Sequence, residues 1–220
     1  MVSLDFATVL VDWPLLLRGL AMTAGLTAVA ATLGLALGIA CAWARLHGGA
    51  VLRWTVGAYV ELIRNTPFIV QLFFVFFGLP SLGVKLTPEW ASVIAMVINL
   101  GAYAAEIARA GIQATPRGQI EAARSLALTE AQVFLRVVLP PALARVWPAM
   151  TGQIIIVMLG SAVCGQIATQ ELSYYANLIH SRNFRAFEAT FVATGLYLGL
   201  AVLLRHLLQR LGTRLLHVRR

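Results

Sequence analysis

Hydrophobic positions in this chain come in long unbroken runs, with the polar positions gathered between them. The first run lies between Arg18 and Arg45, where residues 19–44 carry no charge. A helix of those 26 residues reaches roughly 39 Å, enough to cross a hydrocarbon core of about 30 Å with tilt. A second run follows Arg53 and Arg64 and extends to about Gly78; its body, residues 68–77, is apolar apart from Gln71. Pro80-Ser81-Leu82-Gly83 reads as a turn, and Lys85 marks an aqueous edge. Three further runs occupy residues 88–112, 146–170 and 187–209, with Trp90 placed as an interfacial anchor. The expectation is an all-α integral membrane protein, residues 1–220 forming a single transmembrane domain of about five helices. Periodicity alone does not separate a full span from a re-entrant segment. Gly34 and Gly38 form a small-xxx-small pair, which either admits a neighbouring helix closely or is merely tolerated in lipid.

The longest interruption between apolar runs is residues 115–148, which carries Arg117, Glu121, Arg124, Glu130, Arg136 and Arg145. Its pattern predicts two short helices. Pro116 suits a first helical position with Thr115 as the cap, and the run continues from Ile120 to Leu126. Thr129-x-x-Gln132 is a capping-box pattern that starts a second helix. Val133, Phe134, Val137 and Val138 give that helix an apolar face, and Pro140-Pro141 is expected to end it. An apolar face on a charged loop suggests docking onto another protein or packing against the chain's own spans.

Charge orients this picture. Only 12% of residues are charged, about half the share of a soluble domain, and 60% are hydrophobic. The net charge of +8 sits at the ends of apolar runs, so it reads as membrane orientation and not as a nucleic-acid groove. One side would hold thirteen of the 17 Lys and Arg residues: Arg45, Arg53, Arg64, Arg109, Arg117, Arg124, Arg136, Arg145, Arg205, Arg210, Arg214, Arg219 and Arg220. The other side would hold Arg18, Lys85, Arg182 and Arg185. The 115–148 loop and the C-terminus are therefore expected in the cytoplasm, with the N-terminus outside. The first run is too long, and lacks the early cations, for a cleaved signal peptide. Cys41 and Cys164 lie in apolar runs without metal or disulfide spacing.

Candidate chemistry is sparse. The single lysine, Lys85, lacks a phosphate-loop frame, the four histidines are scattered, and no nucleophile–base constellation stands out. No catalytic or metal residue is expected. Polar groups inside spans carry more meaning, because burying a charge at mid-bilayer costs about 2.5–3.5 kcal/mol on insertion scales. Glu106 and Arg109, three apart on one face, read as a structural ion pair or a pathway group. Asn99 and Tyr103 are candidates for lining a substrate path. Gln153, Ser161 and Gln166 are further candidates, although helix–helix hydrogen bonding would explain each as well.

Read as a motif, the loop is Glu121-Ala122-Ala123, three residues, Ala127, nine residues, then Val137-Val138-Leu139-Pro140. It resembles the EAA signature of the membrane subunits of binding-protein-dependent ABC importers. Glu61-Leu62-Ile63-Arg64-Asn65-Thr66-Pro67, Gly101-Ala102-Tyr103-Ala104-Ala105-Glu106-Ile107, Ser181-Arg182-Asn183-Phe184 and Phe187-Glu188 are similar to the polar amino-acid branch. The resemblance spans nearly the whole chain. It implies the type I importer fold and an inner-membrane subunit that is not itself an enzyme. It further implies a translocation path for polar, basic or opine-like amino acids, shared with a second permease subunit. ATP and Mg would be bound by partner ATPases, and an extracytoplasmic amino-acid-binding protein would deliver substrate. Glu121, Ala122, Ala123, Arg124, Ala127, Leu139 and Pro140 would then form the ATPase-coupling element.

Two departures from the family pattern stand out. The signature glycine is Ala127, which is strained by about 1 kcal/mol or more if the turn is left-handed. Where many relatives carry a Lys-Asp pair followed by Thr-Ser, this chain has Leu159-Gly160-Ser161-Ala162. That absence suggests pairing with a different, homologous subunit. A self-contained channel or secondary transporter and a tethering scaffold are the alternatives from other classes; no repeat in two halves supports the former.

Overall fold

The computed structural model describes residues 4–216, so Arg219, Arg220 and His217 of the basic tail lie outside the described residues. The described residues are almost entirely helical. A short α1 (Ala7–Leu10) leads into α2 (Trp13–His47), followed by α3 (Ala50–Arg64) and α4 (Phe68–Phe73). α4 continues through a widened turn, Phe74–Gly78, and a tight one, Leu79–Leu82, that closes on Gly83 at φ +86°. α5 (Pro88–Gln113) crosses next, capped by the Thr87 side chain. α6 (Arg117–Ser125) is the one fully detached helix of the loop. α7 (Glu130–Gln132), a widened turn at Val133–Val138, α8 (Leu139–Gly160) and a tight turn at Ser161–Ile167 then form one run. α9 (Leu172–Asn183) and α10 (Ala186–Leu215) complete the chain.

Four helices are long and apolar enough to cross a bilayer, and a fifth span follows if the bent pair α3 and α4 counts as one. That pair turns by 112° at Asn65-Thr66-Pro67, where the apolar pattern predicts a plain span. The molecule is organised on the contact of α2 with α5. A Cβ at Gly34 would lie 2.9 Å from Leu100, and one at Gly38 would lie 2.5 Å from the Ala104 Cβ. The glycine pair is therefore a close-packing surface, where the missing side chains let two backbones approach. Around it Leu26, Ala30, Leu72, Ala95, Met96, Leu100 and Ile154 form one core. A second core at the loop end joins Ala42, Ala104, Ala108, Val133, Phe134 and Val138.

The loop differs from the sequence expectation in three ways. Thr115 does not cap α6: its N–H closes the end of α5 on the Ile112 carbonyl at 3.0 Å, and its buried hydroxyl has no partner. Pro116 precedes the helix in extended backbone instead of starting it. Pro140-Pro141 does not end the second helix, and the expected fourth span at residue 146 begins at Glu130 in an unbroken run to Ile167. The widened turn before the prolines has i→i+5 geometry, which makes room for pyrrolidine rings that an ordinary α turn excludes. α9 was not anticipated, because a 12-residue helix of mixed polarity leaves no span-length signal.

Candidate coupling face and path residues

The candidate coupling element has two inward residues, Ala123 and Ile120, and a row of outward ones. Ala123 is buried, and with Ile120 it seats α6 on Val133, Phe134 and Val138. A small side chain at Ala123 lets α6 lie close on that surface. On the opposite side Glu121, Ala122, Arg124 and Ser125 are exposed, and Leu126 presents 77% of its surface. Leu139 is half-buried and Pro140 exposed at the start of α8.

The α6–α7 turn is held at both ends. Thr129 accepts from the Gln132 N–H at 3.3 Å while the Gln132 amide oxygen accepts from the Thr129 N–H at 2.9 Å, completing the capping box. Arg124 grips Glu130 in a two-pronged bond of 2.9 and 3.1 Å across the turn. That bond and the charge of Glu130 hold the Arg124 guanidinium above its usual range, so it stays cationic. Between these anchors Ala127 adopts φ +55°, the left-handed conformation that glycine would reach without strain.

The end of α2 closes over the same surface. His47 stacks on Trp43 and meets Phe134 edge-on at 5.8 Å between ring centres. Nearby, Glu106 is the hub of a charge cluster: Arg45 of α2 donates to it at 2.9 Å, Arg109 of α5 bonds to it, and Arg64 of α3 lies 4.0 Å away. Arg64 also sits over the Tyr103 ring at 5.7 Å. Glu106 and Arg109 are thus one edge of a cluster that ties three helices, and sequence spacing alone shows only that edge.

The candidate path residues do not form one group. Asn99 is buried and donates to the Gln71 amide oxygen at 2.9 Å. Gln71 in turn donates to the Ile63 carbonyl at 2.8 Å and the Thr66 carbonyl at 3.0 Å. Ser161 is buried and donates to the Met158 carbonyl at 2.7 Å. Gln153 is half-buried and Gln166 exposed, and neither amide holds a hydrogen bond among the described residues.

Two important residues escaped sequence reasoning. Gln71 stood out only as the lone polar residue of its run. Glu171, fully buried, caps α9 by accepting from the Tyr174 N–H at 2.8 Å, and Ser173 and Tyr197 bond to it as well. Its signal was a single acid at the head of an uncharacterised polar stretch. Among the described residues no group of three or more His, Cys, Asp or Glu side chains has metal-site geometry.

With this geometry in view, comparison with known proteins is decisive. The family model for the binding-protein-dependent transport system inner membrane component matches residues 34–217. The chain belongs to that family. This permease component is 32% identical to the glutamine transport system permease protein GlnP of Escherichia coli (strain K12), over 96% of this chain and 97% of that one. It is 37% identical to the L-cystine transport system permease protein TcyB of Bacillus subtilis (strain 168), over 78% and 73%. A solved amino acid ABC transporter, crystallised with histidines, superposes with a TM-score of 0.86 at 35% identity, covering 97% of this chain and all of the other. An inward-facing MetNI methionine ABC transporter gives 0.75 at 25% identity over 95% and 98%. The type I importer fold and a membrane transport role follow.

Proposed function

We propose that this permease component lines the translocation path of an ATP-driven importer of polar amino acids and receives force through α6. The observation that carries this reading is the two-sidedness of α6. Its inner face is locked to α7 and α8 by Ala123, while its outer face offers Glu121, Ala122 and the bare apolar Leu126 to a partner. The partner is an ABC ATPase dimer that binds ATP and Mg, and its closure displaces α6. Because Glu130–Ile167 is one continuous helix of 38 residues, roughly 57 Å long, a push at the turn reaches the far side of the bilayer. The Glu106 cluster binds α2, α3 and α5 together, so the motion is shared.

On this reading the loop and C-terminus are cytoplasmic, the N-terminus is outside, and an extracytoplasmic binding protein delivers the amino acid at the bacterial inner membrane. A second, homologous permease subunit completes the path. Gln153 and Gln166, whose amides are uncommitted, are the freest to meet a polar substrate. Tyr103, Asn99 and Ser161 shape the wall.

The test is substrate-stimulated ATP hydrolysis and uptake by the assembled transporter carrying Glu121→Arg or Leu126→Asp. Both activities should fall at least about ten-fold, the loss expected from about 1.4 kcal/mol of interface energy. Unchanged hydrolysis and uptake would favour a self-contained transporter. Counting distinct permease bands in the purified complex decides pairing: a single band with full transport rules out the heterodimer.

A further inference from the structure

Between α8 and the last turns of α10 lies a cavity of about 710 Å³ that the transport reading does not use. Its floor is Trp147, whose indole N–H donates to the Leu208 carbonyl at 2.8 Å and whose ring lies where a side chain at Gly212 would stand. Its rim carries Arg205, His206 and Arg210. Among the described residues neither arginine pairs with a carboxylate. Thr151 lines the same cavity; it is 5% exposed, and its hydroxyl is buried without a hydrogen-bond partner. A buried hydroxyl without a partner costs free energy that an oxygen-rich ligand would recover.

Depth in the bilayer narrows the ligand. Residues 189–204 of α10 are uncharged, and Arg205 is the first cation after them. Trp147 beside it is a residue type that settles at the membrane–water interface. The cavity lies at the α6 end of the molecule, since Trp147 also packs with the Val133, Phe134 and Val138 cluster. A basic pocket between two spans at headgroup depth suits a phosphate whose acyl chains run down an apolar helix face. α10 offers that face on the bilayer side of Arg205, where Leu198 and Val202, one turn apart, are both exposed.

We infer that this cavity holds the headgroup of an anionic phospholipid from the leaflet on the α6 side. Arg205 and Arg210 bind the phosphate oxygens, and Thr151 donates to the glycerol or phosphate oxygen that reaches deepest. The inference rests on α8 and α10 spanning the bilayer and is independent of which amino acid is carried.

The experiment uses the assembled transporter, stripped of lipid in detergent and titrated with phosphatidylglycerol or phosphatidylcholine under native mass spectrometry. Uptake by the same variants is measured in vesicles. The wild-type complex should retain phosphatidylglycerol and release phosphatidylcholine. R205Q/R210Q should weaken phosphatidylglycerol retention roughly thirty-fold, and Thr151→Val about ten-fold. Excess inorganic phosphate should leave the bound lipid in place. Equal retention by wild type and variants, equal retention of the zwitterionic lipid, or displacement by inorganic phosphate would each overturn the assignment. If the double variant does not assemble, Thr151→Val alone, which alters neither charge nor shape, decides. Lost retention with uptake intact supports the lipid site as separate from transport, and intact retention in the pocket variants overturns it whatever uptake does; the transport reading fails separately, by unchanged uptake and hydrolysis in Glu121→Arg.

Discussion

Pro67 and the Pro140-Pro141 pair remove the same kind of backbone donor, yet the helix ends in a 112° bend at the first site and runs on to Ile167 at the second. The difference lies in where the freed carbonyls go. An ordinary α continuation would have Pro67 bonding the Ile63 carbonyl, and the pyrrolidine ring has no N–H to give. Gln71, itself buried, supplies the missing donor to Ile63 and holds the Thr66 carbonyl too, while Asn99 of α5 keeps its amide turned the right way. The bend is therefore fixed by a side-chain chain that crosses to another helix. All three prolines are exposed, but only Pro140 and Pro141 follow a widened turn, which relieves their rings and lets the helix run on. The same residue type breaks a helix or spares it according to the turn that precedes it and the donors within reach of the freed carbonyls.

The largest effect should follow from removing the relay at the bend. Gln71→Leu removes the donor to the Thr66 carbonyl, leaves the Ile63 carbonyl only the 3.4 Å bond from the Thr66 hydroxyl, strands the Asn99 amide, and should cost about 3 kcal/mol in thermal unfolding of the assembled complex. A loss below about 1 kcal/mol would mean that water reaches the bend, and the contrast between the two proline sites would fail. Asn99→Leu should cost less, about 1–2 kcal/mol, because Gln71 keeps its own donors in use. In a double-mutant cycle the two losses should fall well short of additive.

Ala127→Gly sharpens the other side of the comparison. At φ +55° it should stabilise the complex by about 1 kcal/mol, detected as a raised midpoint of thermal unfolding; a residue in ordinary helical geometry would instead be destabilised by glycine. Replacing Pro140 and Pro141 together by alanine should change stability least, by under about 1 kcal/mol, since no buried group depends on them. Hydrogen exchange at residues 133–138 reads the outcome independently: the amides there should gain protection as the widened turn reverts to α geometry.

What was readable in advance follows the range of each interaction. Span-length apolar runs and the Thr129–Gln132 capping box are local, so the residues themselves carry them, whereas the demand at Ala127 was legible only through the resemblance that puts a glycine there. The Gly34 and Gly38 pair was visible as spacing, but its use was not, because glycine is silent about its neighbour until Leu100 and Ala104 arrive. Asn99 is legible as a polar residue in an apolar run, yet its partner Gln71 sits 28 positions away. α9 and Glu171 stayed hidden because a short helix on the membrane rim has neither span length nor clean periodicity.

The chain by itself determined that it enters a membrane, roughly where its long apolar runs lie, and that its charged interruption contains a helix. Hydrocarbon admits only long apolar helices, and that constraint is written one residue at a time. The tertiary structure alone decided that the chain bends at Pro67 while Pro140-Pro141 lets one helix run from Glu130 to Ile167. It also decided that Glu106 gathers Arg45 from 61 positions away as well as its neighbour Arg109. A proline fixes only what its own backbone cannot donate. Which group supplies the missing bond, here a buried amide on another helix, depends on what folding brings beside it.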